Sequence, residues 1–328
     1  MKLDLGTLQA FSAALLVLTD VARSAPPERL IDDALLALRP LVPFRSAWWG
    51  ECSDTDAHGT PRNWLHGRIN LSDSFAQEWN GLADGDVFAA ESMRNLGKVQ
   101  RFSGHGDPRP DVAAFSRRHA LGHGMAITVE LPGSGLMFFV SLYRGDASPA
   151  FDEGESALFA EFFAHLLQHW RMRVRELLLG AHPQVTDAFA LADVHGTLLY
   201  LGARLGRLLH KHHPTWSGTM LPAELASMLV RAPVAVALGP YRLMLQPCGE
   251  LVALALDRGG RLAALPPRER SVAMLYAQGH SYKEIARLLA LSPATVRTYL
   301  RSVYLQLGVR NKIELGTALS AAPRARGR

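Results

Sequence analysis

Two arginines four residues apart, Arg297 and Arg301, and the Thr298 between them are the side chains of this chain best suited to molecular recognition. Residues three or four apart share one face of a helix. Guanidinium groups on such a face can donate paired hydrogen bonds to planar acceptors, such as the major-groove edge of guanine. Apolar residues recur behind this face at spacings of four, three and four: Val296, Leu300, Val303 and Leu307. The pattern predicts a helix that packs on a small core and is free to enter a DNA groove.

Start and stop signals around this helix predict four consecutive helices between Leu265 and Leu315. Proline at a first helical position, glycine after a helix end, and Ser or Asn followed by Glu three residues later are such signals. The third helix carries the two arginines. The residues that carry the signals are, in chain order, Pro267, Gly279, Ser281, Glu284, Ser292, Pro293, Gly308, Asn311 and Glu314.

Charge is divided unevenly along the chain. From Arg261 to the end there are twelve Lys and Arg residues against three Asp and Glu residues, a net charge of +9. The whole chain carries +5, so the first 260 residues carry −4. A basic excess confined to the C-terminal segment favours contact with phosphates there and argues against a generally adhesive protein.

This C-terminal segment resembles the LuxR-type helix-turn-helix over about 55 residues. The matching residues are Arg268-Glu269-Arg270, Gly279, Ser281, Lys283-Glu284-Ile285-Ala286, Ser292, Thr295-Val296-Arg297, Leu307-Gly308-Val309 and Glu314-Leu315. The resemblance implies that Arg297, Thr298 and Arg301 contact bases. It also implies phosphate contacts near Lys283, Thr295 and Asn311, to which we add Ser292, Tyr299 and Lys312 as candidate backbone contacts.

Three positions depart from the family pattern. Tyr299 stands where the family usually has His, Gln306 where it has Lys, and Pro266 where Thr often caps the first helix. The first two departures remove potential cationic contacts, so we expect weaker phosphate affinity than in a typical member.

Residues 1–178 are predicted to form a sensory domain of alternating helices and strands. Two helices meet at Pro26-Pro27, a hairpin spans Met125 to Tyr143, and a long helix closes the segment. The predicted strands are Ser46 to Glu51, Trp64 to Ile69, Met125 to Leu131 and Leu136 to Tyr143. This order of elements resembles a GAF domain. The resemblance implies a small-molecule ligand beside an irregular stretch, around residues 70–123.

Residues 184–258 show a second pattern of strand, strand, two short helices and three strands. That order, with an Asp193-Val194-His195-Gly196 turn, resembles a PAS domain. The expected fold is therefore multidomain α+β: a GAF-like sensor, a PAS-like segment, and an all-α helix-turn-helix over residues 263–320. Arg258-Gly259-Gly260 is the expected hinge.

No residue pattern predicts catalysis, a metal or a cofactor. His165 and His169 lie four apart on the closing helix, but a third ligand is missing. His119 and His123 are expected to flank a helix end, and no P-loop or nucleophile motif occurs. The two cysteines, Cys52 and Cys248, match no metal spacing or disulfide framework, so a reducing cytoplasm is the simplest setting.

The N-terminus is expected to form an amphipathic helix and not a membrane anchor. The apolar run Ala13 to Leu18 is short, Asp4 and Asp20 flank it, and no segment approaches the roughly 20 apolar residues that span a bilayer. The sequence thus predicts a cytoplasmic regulator that binds double-stranded DNA, acts as a homodimer and is not an enzyme.

Two other functions stay open. Arg118 to Leu142 resembles the ligand domain of acyl-homoserine-lactone receptors, which end in the same DNA-binding module. Their ligand motif joins a Tyr to a later Asp-Pro, whereas here no Tyr precedes Asp107-Pro108. The other function is a protein-interaction adaptor with weak DNA binding.

Overall fold

The computed structural model describes most of the chain. The described residues are 4–53, 62–104, 109–131, 135–181, 183, 186–239, 241–256, 265–307, 309 and 311–320. The chain divides into two compact units. Unit 1 contains Met1–Ala232 and Gln246–Leu254, and unit 2 contains Pro233–Leu245 and Ala255–Arg328.

The first part of unit 1 is an antiparallel sheet between two layers of helices. Its elements are α1 (Leu5–Ser24), α2 (Leu30–Leu38), β1 (Ser46–Ser53), β2 (Arg62–Ile69), α3 (Phe75–Asn80), α4 (Val87–Arg94), β3 (Gln100–Ser103), α5 (Pro110–Arg118), β4 (His123–Leu131), β5 (Leu136–Arg144) and α6 (Glu153–Ala181). The strand order is β2-β1-β5-β4-β3. The predicted N-terminal helix pair, hairpin and closing helix are all present.

The two adjacent tryptophans of β1 show which helices cover each face of the sheet. Side chains alternate along a strand, so Trp48 and Trp49 point to opposite faces. The centroids of the Trp48 and Phe75 rings lie 5.1 Å apart, on the face of the sheet that α3 and α5 cover. The Trp49 ring lies 5.9 Å from Trp170 of α6, and its Nε1 donates to Asp32 of α2 at 2.7 Å. Both tryptophans are buried.

The stretch 70–123 is more regular than the sequence predicts. It contains three helices, α3 to α5, and the strand β3. Each helix has six to nine residues, too few for two full turns of apolar periodicity to appear. A local signal does mark α4, since Asp86 caps it by accepting the amide of Ala89 at 2.9 Å.

The expectation that no segment is long and apolar enough to span a membrane is wrong for α1. This helix has 20 residues and a window of mean hydropathy 1.5, so by length and composition it is long and apolar enough to cross a membrane. Of that window, 11% is buried. No charged residue occurs from Leu5 to Thr19, and the small residues in this stretch reduce the mean hydropathy of the helix only slightly. Leu18 is fully buried, whereas Leu16 is 67% exposed. Such a profile is also shared by signal sequences and by core helices.

Ten strands occur among the described residues, and β6 to β10 follow α6 along the chain. The elements are β6 (Phe189–Ala192), β7 (Leu198–Leu201), α7 (Ala203–His212), α8 (Ala223–Ala226), β8 (Val234–Leu238), β9 (Tyr241–Cys248) and β10 (Leu251–Leu256). In unit 1, β7, β6 and β10 are neighbours in that order, and in unit 2 β8 pairs with Tyr241–Leu245 of β9 as an antiparallel hairpin. The helix predicted from Pro222 to Val230 is shorter, because α8 ends at Ala226 and a 3-10 turn follows.

Several contacts join the two predicted sensory segments inside unit 1. The amide of Thr219 donates to the carbonyl of Trp64 on β2 at 3.1 Å, and the Trp64 ring lies 5.8 Å from that of Trp216. Gly218 makes this approach possible. Its φ is +85°, and a Cβ there would lie 1.5 Å from the Trp64 carbonyl oxygen. The boundary predicted at residues 178–184 therefore lies inside one compact unit, and the three-domain division stays a prediction.

The C-terminal part of unit 2 consists of four helices around one apolar core. They are α9 (Pro267–Ala277), α10 (Tyr282–Leu288), α11 (Pro293–Leu307) and α12 (Lys312–Ser320). The side chain of Ser281 and that of Glu284 form the predicted capping box of α10. Gly279 has φ +108°, as expected after a helix end. Gly308, the predicted end of α11, lies outside the described residues. The buried core residues are Leu265, Val272, Ala273, Ile285, Ala286, Val296, Leu300, Val303, Leu307 and Leu315.

Candidate nucleic-acid interface

The third helix of this module, α11, buries one face and exposes the other. Val296 and Val303 are fully buried, and Leu300 and Leu307 are 5% exposed. The three predicted base-contacting side chains, Arg297, Thr298 and Arg301, are exposed. The Thr298 hydroxyl donates to the carbonyl of Ala294 at 3.2 Å, so it is directed back along the helix. The structure therefore places the three side chains together on one exposed face.

The N-terminus of α11 is capped by two of the predicted phosphate contacts. Ser292 Oγ accepts the amide of Thr295 at 3.0 Å, and the two hydroxyls lie 2.8 Å apart. Ser292 is exposed and Thr295 is half-buried. Remaining amides at a helix N-terminus favour anions, so the cap lies where a phosphate is stabilised. Lys283, in the first turn of α10, is also exposed.

Two more of the predicted phosphate contacts lie at the start of α12, where Asn311 precedes the helix and Lys312 is its first residue. The Asn311 side chain accepts the amide of Glu314 at 2.9 Å and donates to the Glu314 carboxylate at 2.8 Å. Its main role is thus to cap α12, which leaves little of the amide for a second partner. Lys312 is exposed, and its Nζ lies 4.9 Å from the centroid of the Tyr276 ring.

The two departures from the family pattern on α11 make contacts within the module. Tyr299 is half-buried and packs against the apolar core. Gln306 Nε2 donates to Glu269 of α9 at 3.1 Å and to Ser302 at 2.9 Å. A Lys at position 306 has the charge to contact a phosphate, whereas the Gln amide here joins α11 to α9.

An aromatic pair that the sequence analysis missed lies beside the arginines. Tyr276 of α9 and Tyr282 of α10 are stacked, with ring centroids 5.4 Å apart and planes 8° apart. The guanidinium carbon of Arg297 lies 5.5 Å from the Tyr282 centroid. The only sequence signal was two tyrosines on either side of the Gly279 turn, which periodicity does not reveal.

A depression of about 390 Å³ adjoins the exposed face of α11. Its lining combines two arginines and two tyrosines with apolar side chains, of which Leu305 is 76% exposed. The lining residues are Tyr282, Arg297, Leu300, Arg301, Tyr304, Leu305 and Val309. Cationic and aromatic side chains around a concave surface suit contact with nucleotides.

A second concave site lies in unit 1, on the side where a ligand was predicted. A cavity of about 260 Å³ opens among Asp86, Phe88, Arg101, Phe115 and Tyr143. A narrower pocket that shares Asp86 and Tyr143 with it is also lined by Trp48, Cys52, Thr128 and Ser141.

Polar groups of this cavity are spaced among aromatic side chains. Asp86 Oδ2 accepts from Trp79 Nε1 at 2.8 Å, while burial raises the pKa of Tyr143 and keeps its phenol neutral. Trp48 Nε1 is a buried donor with no hydrogen-bond partner among the described residues. Buried donors are normally paired, so Trp48 Nε1 is an exception to that rule.

The structure brings no third potential metal ligand to either histidine pair within the described part of the chain. His119 Nε2 lies 3.1 Å from Glu78 Oε2, whereas His123 Nδ1 lies 2.9 Å from Ser103 Oγ, so the first pair faces different partners. No group of three potential ligands was found there, and His165 and His169 have no third ligand in that range. The pKa of His169 is lowered by partial burial and by His165.

A family model described as "Bacterial regulatory proteins, luxR family" matches residues 263–318. This segment contains the four helices and the exposed arginines. Residues 263–318 are a luxR-family module. The segment is similar to UhpA, a transcriptional regulatory protein of Escherichia coli, at 48% identity over 56 residues. The match covers 17% of this chain and 29% of UhpA.

Another relative has a similar segment. The putative HTH-type transcriptional regulator Mb0914c of Mycobacterium bovis is 44% identical over 52 residues, which are 16% of this chain and 6% of that protein. The chain therefore spans less than a third of the length of both relatives, and the similarity is confined to the module.

Two solved structures resemble the chain at low identity. Escherichia coli SdiA is 14% identical, with a TM-score of 0.41 and coverage of 95% of this chain and 97% of SdiA. The N-acylhomoserine lactone dependent LuxR family transcription factor CepR2 of Burkholderia cenocepacia is 13% identical, with a TM-score of 0.40. The match covers 50% of this chain and 97% of the CepR2 chain. Both TM-scores lie below 0.5, so neither similarity defines the fold of unit 1.

Proposed function

We propose that this chain is a cytoplasmic DNA-binding transcriptional regulator, in which the N-terminal sensory region controls the C-terminal luxR-family helix-turn-helix. The observation that supports it most directly is the exposed face of Arg297, Thr298 and Arg301 opposite a fully packed apolar stripe. In this proposal Arg297 and Arg301 read base edges in the major groove, and Thr298 adds a contact between them. The proposal includes no catalytic step.

Backbone contacts come from the residues around the reading face. Lys283, Ser292, Thr295 and Lys312 approach phosphates, because they lie at helix N-termini that favour anions. Tyr299 and Asn311 complete the proposed set, although core packing and capping already engage their side chains. These contacts fix the position of the module and supply the salt-dependent part of the affinity.

The test begins with the DNA fragments that the full-length protein retains from its own genome at about 0.15 M salt. On the enriched site, Arg297→Ala or Arg301→Ala should cost on the order of 1–3 kcal/mol and relax the preference at one position. Lys283→Ala should weaken all sequences alike and reduce the salt slope by about 1.

The matched control is Arg175→Ala, which removes one exposed arginine from α6 of unit 1. It should leave both affinity and preference unchanged. Equal losses of Arg297→Ala on the enriched site and on random DNA would contradict base reading. Absence of any DNA binding by the full chain and by residues 261–328 would favour the protein-interaction adaptor.

We further propose that the cavity of the GAF-like part of unit 1 binds a small molecule and that the protein acts as a homodimer. The unpartnered Nε1 of Trp48 in the adjoining narrower pocket and the Asp86 carboxylate, which lines both that pocket and the cavity, support a ligand with both a hydrogen-bond acceptor and a donor. A ligand that changes dimer geometry alters the spacing of two reading modules, and spacing decides whether two half-sites are contacted.

The autoinducer alternative is tested on the same cavity with a panel of acyl-homoserine lactones. Binding should raise the thermal midpoint of the wild-type protein and not of Ala89→Trp, which fills the space between Asp86 and Met93. Analytical ultracentrifugation with and without the bound lactone measures the oligomeric state. A monomer that still binds a two-fold symmetric site with full affinity would contradict the dimer.

A further inference from the structure

Four side chains from four different helices make consecutive pairwise contacts in the luxR-family module. Lys312 of α12 lies 4.9 Å from the Tyr276 centroid, Tyr276 of α9 stacks on Tyr282 of α10, and Arg297 of α11 lies 5.5 Å from the Tyr282 centroid. The order is cation, ring, ring, cation. The two hydroxyls of the tyrosines lie 3.4 Å apart. We define this set as the tyrosine stack.

Each contact in the tyrosine stack is favourable on physical grounds. A cation within about 6 Å of a ring centroid is attracted by the negative face of the ring. A planar guanidinium also stacks on an aromatic ring, which restricts the side chain more than a contact with an ammonium does. The hydrogen bond with Tyr276 and burial raise the pKa of Tyr282, so the phenol stays neutral at pH 7.

The tyrosine stack matters because of what lies at its ends. Arg297 is exposed and long, and such a side chain loses rotamer freedom when it binds a base edge. The ring of Tyr282 holds the guanidinium near one direction before DNA arrives. The entropy lost on binding is then smaller, and the benefit arises only where Arg297 finds its hydrogen-bond partners.

We propose that Tyr282 is a positioning residue for Arg297, and that it raises the sequence preference of the module without contributing equally to affinity for random DNA. This inference rests on the proposed base-reading role of Arg297. Tyr276 supports Tyr282 from behind, and Lys312 completes the stack at the opposite end. A residue that acts in this way needs an aromatic face and not a hydroxyl.

The experiment compares the full-length variants Tyr282→Ala, Tyr282→Leu and Tyr282→Phe on the enriched site and on random DNA. Cation–ring contacts at exposed sites correspond to roughly two- to fivefold in affinity. Tyr282→Ala and Tyr282→Leu should lose roughly that factor on the enriched site only. Tyr282→Phe keeps the ring and should lie close to wild type. Tyr282→Leu retains apolar volume against the core, so that loss of packing and loss of the aromatic face are distinguished.

The double variant Tyr282→Ala/Arg297→Ala completes a cycle. If Tyr282 acts through Arg297, the double variant should bind the enriched site no more weakly than Arg297→Ala alone. Leu288→Ala, which removes an exposed side chain from the same helix as Tyr282 but outside the depression, should leave the ratio of specific to random affinity unchanged.

The outcomes separate this inference from the proposed function. If Arg297→Ala leaves the ratio of specific to random affinity unchanged, base reading by Arg297 is wrong and the positioning role falls with it. If Arg297→Ala lowers that ratio but Tyr282→Leu does not, only the positioning role is overturned. The same holds if the losses of affinity of Tyr282→Ala and Arg297→Ala add in the double variant. A fall of both affinities in Tyr282→Leu with an unchanged ratio also overturns it, since that result indicates lost packing.

Discussion

Replacement of Glu51 by Gln tests how the sensory sheet tolerates a buried carboxyl group. Glu51 lies on β1 and is 1% exposed. Its Oε1 accepts a hydrogen bond from Trp170 Nε1 at 3.3 Å, and Oε2 has no hydrogen-bond partner among the described residues. Burial raises the pKa of Glu51 from 4.5 to about 7, against a smaller lowering by Trp170. The charged form is therefore unfavourable in the folded state.

The sign of the effect follows from which state holds the proton. Below pH 4.5 the carboxyl group is protonated in both states. Between pH 4.5 and 7 the unfolded chain releases the proton and the folded chain keeps it, so the free energy of unfolding falls as pH rises. The change in pKa corresponds to about 3 kcal/mol above pH 7. Glu51→Gln does not titrate, so its stability relative to wild type should rise by about 3 kcal/mol from pH 4.5 to pH 8.

Urea unfolding followed by tryptophan fluorescence measures this difference. All six tryptophans lie within residues 1–232, so the signal reports on unit 1. A constant offset is expected as well, because the Gln amide places a donor where Oε2 has no partner. Glu161→Gln, at an exposed position of α6, is the control for replacement of a carboxylate by an amide. A difference between Glu51→Gln and wild type that stays constant from pH 4.5 to 8 would refute the reasoning.

Three further predictions concern single positions. Gly218→Ala should lower the free energy of unfolding of unit 1 by about 3 kcal/mol more than Gly249→Ala. Both glycines have positive φ, but only a Cβ at position 218 would meet the Trp64 carbonyl. Equal losses in urea unfolding would contradict this contact. Ser281→Ala should lower the stability of the luxR-family module by about 1 kcal/mol, measured by circular dichroism on heating, since it removes the cap of α10; an unchanged melting curve would exclude a stabilising cap. Burial lowers the pKa of His66 to about 4, so the free energy of unfolding falls as pH falls from 6.5 through 4. In urea unfolding, the stability of His66→Gln should fall by up to about 3 kcal/mol less than that of wild type over this range. Equal falls in the two proteins would show that His66 is not protonated there.

The luxR-family module was the part most open to prediction, because its signals are local. A cap and a carboxylate three residues apart predict the start of α10 at Ser281 and Glu284 without reference to any other helix. The stripe that ends at Leu307 predicts the buried face of α11 in the same way. Both features depend on one stretch of chain and one helical period, so they are visible in the sequence.

Contacts between elements were not open to prediction, because nothing local encodes them. Tyr276 and Tyr282 stack across a turn, and Arg297 reaches them from another helix. The bond from Thr219 to Trp64 joins residues more than 150 positions apart. The cavity beside Asp86 was expected in position, but its lining depends on three short helices that periodicity did not reveal.

The two missing cations of the module bear on the choice between regulator and adaptor. A DNA-binding surface that had lost its function would not need to keep the proposed base-contacting side chains, yet Arg297 and Arg301 are present and exposed together. Gln306 donates to Glu269, and Tyr299 packs on the core, so both side chains make contacts within the module. Loss of phosphate contacts weakens binding to all sequences, whereas loss of base contacts weakens only the preferred one. The two departures are therefore expected to lower affinity for random DNA, whereas the base contacts proposed for Arg297 and Arg301 would keep the sequence preference that an adaptor with weak DNA binding lacks.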